Sequence, residues 1–361
     1  MLIPAHDEAH NIADTIRACL ALDYPTDLCR IVVIADNCMD ETADAAREAG
    51  ATVLMRSEPM HPGKGAALQW ALPQVLTEDI DAVAILDADC LPERQLLRKL
   101  NSRLAQGERV IQAAVVPTNV DDSPATYLAC LGSILENYFV SRPKDRLGLS
   151  VFLRGTGMTF ARSVLDANPW RATSAVEDHE FSLKLLRCGE RVRFEAEAIV
   201  YTKTPTTNHR LLAQRSRWSA GLAGIFRTSA SLLFAGIHQF RIDLIDAAIS
   251  KLLMSRPLVL LQLACSLAMC MTLHVIFPSQ LSSFCVITSL SLCSLHFGII
   301  GAAMLRLGIT WRRVQLCAGL PSVALTMMTA TVRGLFGYSK GWGGPHARAR
   351  DGDLPNSPVA A

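Results

Sequence analysis

Acidic and basic side chains follow directly after several short apolar runs in the first part of the chain. These groups are His6-Asp7-Glu8, Asp36-Asn37, His61-Pro62-Gly63-Lys64-Gly65 and Asp87-Ala88-Asp89. Carboxylates are the ligands that hard divalent cations prefer, and a lysine in a glycine-rich turn is suited to contact phosphate. If these groups meet at one place, they predict a site for a cation and a phosphorylated ligand.

Asp87 and Asp89 are the strongest candidates for metal ligands. In an extended segment, alternate residues point to the same side, so the two carboxylates could share one cation. Mg²⁺ or Mn²⁺ held in this way keeps part of its shell for water and substrate phosphates. Such an ion would stabilise a diphosphate as it leaves.

The segments around these groups alternate between apolar runs and helical periodicity. The pattern predicts strands over 2–5, 30–35, 51–55 and 81–86, and helices over 11–22, 42–49 and 65–75. A repeated strand–helix alternation is typical of an α/β fold with a largely parallel sheet. Ligands bind such sheets at the carboxyl ends of the strands, which is where the polar groups lie.

The composition indicates a membrane-attached chain. Of 361 residues, 50% are hydrophobic and 19% are charged, and the net charge of +2 gives no sign of a nucleic-acid-binding surface. Residues 257–277 and 281–305 carry no formal charge over about twenty positions each, the length of a membrane span. Residues 314–332 contain Pro321 and fit either a re-entrant or interfacial helix or a third span.

Basic residues flank the two predicted spans on both sides, and the short connection between the spans is uncharged. The flanking residues are Arg241, Lys251, Arg256, Arg306, Arg312 and Arg313. The positive-inside rule therefore predicts a multi-pass protein of the cytoplasmic membrane whose catalytic part faces the cytoplasm. The 11 cysteines include no C-x-x-C pair and are expected to be reduced thiols.

The remaining segments carry weaker signals. Residues 221–240 are apolar apart from Arg227 and His238, which predicts an amphipathic interfacial helix within a region over 221–250. The glycine-rich tail, 336–361, is predicted to be flexible. The N-terminus lacks the pattern of a signal peptide, and the very short first strand leads us to expect that the native chain begins upstream, with a further membrane helix.

Several motifs, in a fixed order over residues 1–220, resemble those of family 2 glycosyltransferases, the membrane-attached inverting enzymes related to cellulose, chitin and hyaluronan synthases. The motifs are Pro4-Ala5-His6-Asp7-Glu8, Asp36, Asp87-Ala88-Asp89, Gly155-Thr156-Gly157, Val176-Glu177-Asp178 and Gln214-Arg215-Ser216-Arg217-Trp218. Two departures are Val176, where the family often has threonine, and Ala35-Asp36-Asn37-Cys38 in place of D-D-G-S.

The resemblance implies a GT-A fold, Rossmann-like with a mostly parallel sheet, in a domain over 1–220, followed by the interfacial region 221–250 and two to three membrane helices within 251–335. It also implies a role for each matched residue. Asp178 would be the catalytic base and Glu177 would orient the acceptor. Donor contacts would come from Pro4, Glu8, Asp36, Lys64, Asp87, Gln214, Arg217 and Trp218, acceptor contacts from Gly155, Thr156, Gly157 and Trp218, and metal ligands from Asp87 and Asp89.

The function that follows from the resemblance is the transfer of one sugar from a nucleoside diphosphate sugar, UDP foremost, to a hydroxyl of a glycan or lipid-linked acceptor. The reaction would need Mg²⁺ or Mn²⁺ and would serve cell-surface or exported polysaccharide synthesis. Membrane lipid and other polysaccharide-assembly proteins are the expected partners, and nucleic acid is not. Two alternatives are a non-catalytic sugar-nucleotide or glycan-binding partner of a synthase and a sugar nucleotidyltransferase, although the latter would need a basic opening loop where His6-Asp7-Glu8-Ala9 is acidic.

Overall fold

The computed structural model describes residues 1–77, 79–172, 174–207, 209, 211–213, 216, 229–252 and 256–335. Within this part, one mixed sheet with helices on both faces is followed by a series of helices. The strands are β1 Leu2–Ala5, β2 Val32–Asp36, β3 Thr52–Arg56, β4 Ala82–Ile85, β5 Leu91–Pro92, β6 Val110–Pro117, β7 Met158–Ala161 and β8 Arg193–Thr202.

The sheet has the order β3-β2-β1-β4-β7-β6-β8-β5. Strands β3, β2, β1 and β4 are parallel, as are β6 and β8, whereas β7 and β5 run antiparallel to their neighbours. This arrangement confirms the predicted α/β class with a mostly parallel sheet. The four strands predicted from the sequence all form, with ends within two residues of the predicted ones.

The helices of the sheet domain are α1 Ile12–Leu20, α2 Thr42–Glu48, α3 Lys64–Val75, α4 Leu96–Ala105, α5 Pro124–Ile134, α6 Arg142–Arg146, α7 Arg162–Ala167 and α8 Glu177–Arg187, with a π-helical segment over Leu135–Ser141. Successive strand residues point to opposite faces: Leu2 packs in the cluster with α3 and α8, and Ile3 packs in the cluster with α1 and α4. Both faces are therefore apolar, which explains the continuous hydrophobic runs of the parallel strands.

Two helices connect the sheet domain to the membrane helices. The described part of α9 is Ser229–His238, and α10 is Ile242–Leu252. Leu232 of α9 and Leu244, Ala247 and Ala248 of α10 are buried against α8, while Phe234 is 75% exposed. The predicted interfacial region thus contains two helices that pack on the sheet domain and expose apolar side chains, and its first part, 221–228, lies outside the described residues.

The last part of the chain is helical and strongly apolar. Helices α11 Arg256–Ile276 and α12 Gln280–Leu307 are long and apolar enough to cross a membrane, in agreement with the two predicted stretches. Helices α13 Trp311–Cys317 and α14 Leu320–Leu335 follow, with a bend of 49° between them. This geometry fits a broken third span or a re-entrant loop, the two options that the sequence left open. The predicted flexible tail, 336–361, lies outside the described residues.

Several basic residues that flank the predicted spans contact the sheet domain rather than solvent. Arg241 donates to the carbonyl of Leu186 at 3.1 Å. Lys251 is 6% exposed. Arg313 forms two hydrogen bonds to the Asp121 carboxylate, at 2.8 and 3.1 Å. Both ends of the α11–α12 hairpin are therefore connected to residues that contact the same domain.

Candidate active site

Asp87 and Asp89 lie together at the carboxyl end of β4, as predicted, but for a different reason. The segment is a turn, closed by a 3.2 Å hydrogen bond from the Cys90 N–H to the Asp87 carbonyl, and is not extended. One potential ligand atom each from Asp87, Asp89 and Cys90 lies within 4.8 Å of the others. Burial and the two carboxylates raise the pKa of the Cys90 thiol well above its ordinary value. Asp87 and Asp89 offer carboxylate oxygens, which fit a hard divalent cation.

Lys64, the first residue of α3, connects Asp87 to Glu177. The Asp87–Asp89 turn is the predicted metal side of the site, and the Glu177-Asp178 pair is the predicted base side. Its ammonium donates to Asp87 Oδ1 and, at 2.7 Å, to the Gly155 carbonyl, and it lies 3.9 Å from Glu177 Oε1. Burial acts to lower the pKa of Lys64, but Asp87 and Glu177 outweigh it and raise that pKa. Lys64 is therefore a fixed positive charge among acidic groups.

Glu177 and Asp178 begin α8, where the helix N-terminus favours negative charge. Glu177 is buried, and burial together with the Asp178 charge raises its pKa to about 7. Asp178 is half-buried, with its Oδ1 accepting from the His179 N–H at 2.7 Å. Burial also raises the pKa of Asp178, so the two carboxyl groups share a site that resists double ionisation.

The Gly155-Thr156-Gly157 segment passes between these two sides. Gly155 has φ +80°, and a Cβ there would lie 3.5 Å from both Asp178 Oδ2 and Lys64 Nζ. Thr156 Oγ1 accepts from the Asp87 N–H at 3.1 Å. Gly157, with φ +67°, could not carry a Cβ, because it would come within 2.9 Å of Ala113 Cβ. The segment therefore positions Asp87 and approaches Asp178 closely, and its contact with an acceptor stays a prediction.

Asp36, at the end of β2, is completely buried and forms an ion pair with Arg56 at the end of β3. Asn37 donates to the same carboxylate oxygen at 2.9 Å. The other oxygen, Asp36 Oδ2, has no hydrogen-bond partner among the described residues. The Asp36 backbone carbonyl lies 2.7 Å from His6 Nδ1, so the ends of β1 and β2 meet as the strand order requires.

Pro4 and Glu8 lie at and just beyond the end of β1. Pro4 is buried in the strand, in register with Ile34. Glu8 is also buried and accepts from Asn11 Nδ2 at 2.8 Å. Burial raises the pKa of Glu8 to about 7, with further contributions from Asp89 and Asp87. Glu8 is therefore close enough to the metal-side carboxylates to interact with them electrostatically.

The structure thus brings Lys64, Asp87, Gly155, Glu177 and Asp178 into one cluster, and it places Asp36 in a separate buried pair. The predicted donor residues Gln214, Arg217 and Trp218 lie outside the described residues.

Sequence reasoning missed Arg56, which is the partner of Asp36. It also treated Lys251 only as a membrane-flanking charge. No local pattern distinguishes either residue from an ordinary surface cation.

Comparison with known proteins finds glycosyltransferases among the similar sequences. The probable glycosyltransferase YdaM of Bacillus subtilis is 27% identical over 230 residues, 61% of this chain and 54% of that protein. The UDP-forming cellulose synthase catalytic subunit of Pseudomonas fluorescens is 26% identical over 244 residues, 66% of this chain and 32% of that protein. The chain thus spans about half or less of the length of these relatives.

A solved structure with the same fold is that of the mannosyltransferase PcManGT from Pyrobaculum calidifontis, in complex with GDP-Man and Mn²⁺. It superimposes with a TM-score of 0.56 at 19% sequence identity, covering 93% of this chain and 86% of that one. The family model for "Glycosyltransferase like family 2" matches residues 1–221, more than half of the chain. The chain therefore belongs to the family 2-like glycosyltransferases.

Proposed function

We propose that the chain is an inverting glycosyltransferase of the hexosyltransferase type. It transfers a sugar from a nucleoside diphosphate sugar, UDP foremost, to a hydroxyl of a glycan or lipid-linked acceptor in cell-surface or exopolysaccharide synthesis. The observation that carries this proposal is the position of Lys64 between the metal-side carboxylate Asp87 and the base-side carboxylate Glu177. One fixed cation separates the groups that would handle the leaving diphosphate and the attacking hydroxyl.

The proposed reaction is a single in-line displacement. Asp178 accepts the proton of the acceptor hydroxyl as its oxygen bonds to the anomeric carbon, and the bond from that carbon to the diphosphate oxygen breaks with its electron pair going to the diphosphate. Glu177 orients the acceptor, and Lys64 faces the charge that develops on the leaving group. The predicted Arg217 would add a second positive charge there, and Trp218 would contact donor or acceptor.

Asp87 and Asp89 would hold a divalent cation, Mg²⁺ or Mn²⁺, because their carboxylate oxygens cluster at the end of β4. When bound, such an ion supplies positive charge that stabilises the leaving diphosphate. The relative that shares the fold was solved with Mn²⁺ and GDP-Man, which supports a cation of this kind.

We also propose that α11 and α12 cross the cytoplasmic membrane, so that the protein is multi-pass and its catalytic domain faces the cytoplasm. The uncharged connection between the two helices and the basic residues at their outer ends support this orientation. Lys251 before the hairpin and Arg313 after it both contact the sheet domain, which supports a hairpin that returns to the side of that domain. Membrane lipid would then lie beside the acceptor side of the site.

The proposed function is tested by incubating the purified full chain with UDP-, GDP- and dTDP-sugars in the presence of Mg²⁺ or Mn²⁺ and measuring release of the nucleoside diphosphate. Metal-dependent release from one donor class is the expected result. Donor binding without release would favour a non-catalytic partner of a synthase. Release of pyrophosphate from a sugar phosphate and a nucleoside triphosphate would instead favour a nucleotidyltransferase.

A further inference from the structure

Lys251, in the last turn of α10, is a buried cation outside the motifs that define the site. Its side chain is only 6% exposed, and its ammonium lies 3.8 Å from the centre of the Phe152 ring. Removing an ammonium from water costs several kcal/mol unless other groups compensate. An aromatic face supplies part of that compensation, and nearby carboxylates must supply more.

The Phe152 ring connects Lys251 to the residue that follows Asp178. The same ring contacts His179 edge-on, with 5.7 Å between the ring centres, and His179 follows Asp178 directly in α8. Val176, just before the acidic pair, packs in one apolar cluster with Leu244, Ala247 and Ala248 of α10. The helix that carries Lys251 is therefore fixed against the helix that carries Asp178.

The charged groups that act on Lys251 come from three other elements. Asp178 of α8 and Glu136 of the π-helical segment favour its charge, whereas Lys144 of α6 opposes it. Lys144 lies 5.5 Å from the same Phe152 ring but is paired with Asp246 of α10 at 2.6 Å. Burial, followed by Lys251 and Arg154, lowers the pKa of His179 well below its ordinary value, so His179 is neutral.

We propose that Lys251 is a positioning residue for sugar transfer: seated on Phe152, its ammonium keeps the Asp178 carboxylate charged and oriented, and it thereby connects the base to the helix that leads into the membrane segments. This inference rests on the proposed role of Asp178 as the base. It adds to the acidic cluster a cation from beyond the matched domain. The activity of the sheet domain would then depend on the docking of α10.

The sign of the effect follows from the charges. Burial raises the pKa of Asp178, and the charges of Lys64 and Lys251 oppose that rise. Removing Lys251 therefore raises the pKa of Asp178 further, and a higher pH is needed to ionise the base. Burial also lowers the pKa of Lys251 to about 7, against the attraction of Asp178 and Glu136, so its own support weakens as the pH rises above that value.

The first experiment measures the pH dependence of kcat/KM for Mn²⁺-dependent UDP release from UDP-glucose. We expect Lys251→Met to move the acid limb upward by about one pH unit, so that kcat/KM falls about tenfold at pH values on the acid side of both limbs, because one pKa unit is a factor of ten. Lys251→Arg should restore the acid limb, since arginine keeps a positive charge at this position. Lys144→Met contacts the same ring but removes a charge already balanced by Asp246, so it should keep the wild-type acid limb.

The second experiment does not require sugar transfer. In an infrared pH titration of the full chain, the carbonyl band that is lost in Asp178→Asn reports protonated Asp178, and its midpoint should rise in Lys251→Met. If the midpoint rises but no donor releases a nucleotide, the proposed function fails while the Lys251–Asp178 coupling stands. If nucleotide is released but the midpoint and the acid limb are those of the wild type, the proposed role of Lys251 is overturned.

Discussion

The metal side and the base side of the site balance their carboxylates in different ways. On the predicted metal side, Asp87 forms a direct ion pair with Lys64, and Asp36 at a neighbouring strand end forms one with Arg56. On the base side, Lys64 is 3.9 Å from Glu177, and burial raises the pKa of both Glu177 and Asp178. One side holds carboxylates in direct ion pairs, and the other holds two carboxyl groups whose pKa values are raised by burial.

This difference matches what the two halves of a displacement reaction need. A leaving diphosphate requires positive charge that is already in place, whereas a general base works best when its pKa lies near the working pH. Strongly shifted pKa values also tend to cluster at functional sites. Substitutions on the two sides should therefore produce different kinds of defect: loss of rate on the base side and loss of binding or stability on the metal side.

The largest expected effect comes from Asp178→Asn. The amide keeps the shape of the side chain and can still accept from the His179 N–H, but it cannot accept the acceptor proton. We expect kcat to fall about 10³-fold while donor affinity stays nearly unchanged, as measured by nucleotide release and by calorimetric titration of the donor.

Glu180→Gln is the matched control for that experiment. Glu180 also lies in the first turn of α8 but is exposed, so its substitution should leave the rate unchanged. A rate in Asp178→Asn above a tenth of the wild-type value would remove Asp178 from the role of base.

Lys64→Met should have the next largest effect, because it removes the cation that both sides share. The substitution leaves Asp87 and Glu177 without the cation between them. Because the Lys64–Asp87 pair is only half-buried, its loss should cost about 2 kcal/mol of unfolding free energy, between the values for exposed and buried pairs. Added Mn²⁺ should recover more of the melting temperature in this variant than in the wild type, since it returns positive charge to Asp87.

Lys99→Met provides the comparison for Lys64. Lys99 has a similar partner set, with Glu93 Oε2 at 3.2 Å and the Glu197 carbonyl at 2.7 Å, but it is more exposed. Its loss should cost about 1 kcal/mol at most and should not respond to Mn²⁺. Equal costs for the two lysines would mean that Lys64 has no special place between the two sides.

A smaller effect is expected for Asp89→Ala, which should weaken Mn²⁺ binding about 10- to 100-fold and lower donor affinity with it. Direct Mn²⁺ titration measures the first quantity. A second acidic group, formed by Asp7, Cys38 and Asp40, lies at the ends of β1 and β2. Asp40→Asn therefore serves as the control, and a loss of Mn²⁺ binding in this variant alone would move the cation away from Asp89.

The parallel half of the sheet could be predicted from the sequence because its signals are local. The predicted strand over 2–5 coincides with β1, and the helix predicted over 42–49 ends one residue earlier, at Glu48. Alternating apolar runs and helical periodicity lie within each segment, and the carboxyl ends of parallel strands must meet. The same reasoning brought Asp87 and Asp89 together correctly but missed the turn that does so.

The pairs between distant segments could not be predicted in this way. Arg56 is 20 residues from Asp36, and Lys251 lies on a helix far from Asp178 in the sequence. Burial of a cation contradicts its usual preference for water, so composition assigns such residues to the surface. The charge count around the predicted spans treated Lys251 as one of several flanking charges, whereas tertiary packing decides that its ammonium lies on Phe152.

The smallest expected effect concerns Glu8, which lies near the metal-side carboxylates but has a raised pKa like the carboxyl groups of the base side. Burial raises the pKa of Glu8 from 4.5 to about 7, so the folded state binds more protons than the unfolded state between these values. The unfolding free energy should therefore fall as pH rises through this window, by up to about 1.4 kcal/mol per pH unit for one such group. Glu8→Gln should flatten this dependence, as measured by chemical denaturation at several pH values.

Bound Mn²⁺ should flatten the pH dependence of the unfolding free energy in the wild type. This effect of Mn²⁺ tests whether the metal side and the base side titrate independently. The charges of Asp89 and Asp87 contribute to the raised pKa of Glu8, so a cation bound to them lowers that pKa and reduces the proton uptake on folding. If Mn²⁺ removes the Glu8 contribution while the acid limb set by Asp178 stays in place, the two sides titrate separately. If the Glu8 contribution and the acid limb of Asp178 both change with Mn²⁺, Lys64 transmits charge between the two sides. The division into a side of ion-paired carboxylates and a side of carboxyl groups with raised pKa values is then wrong.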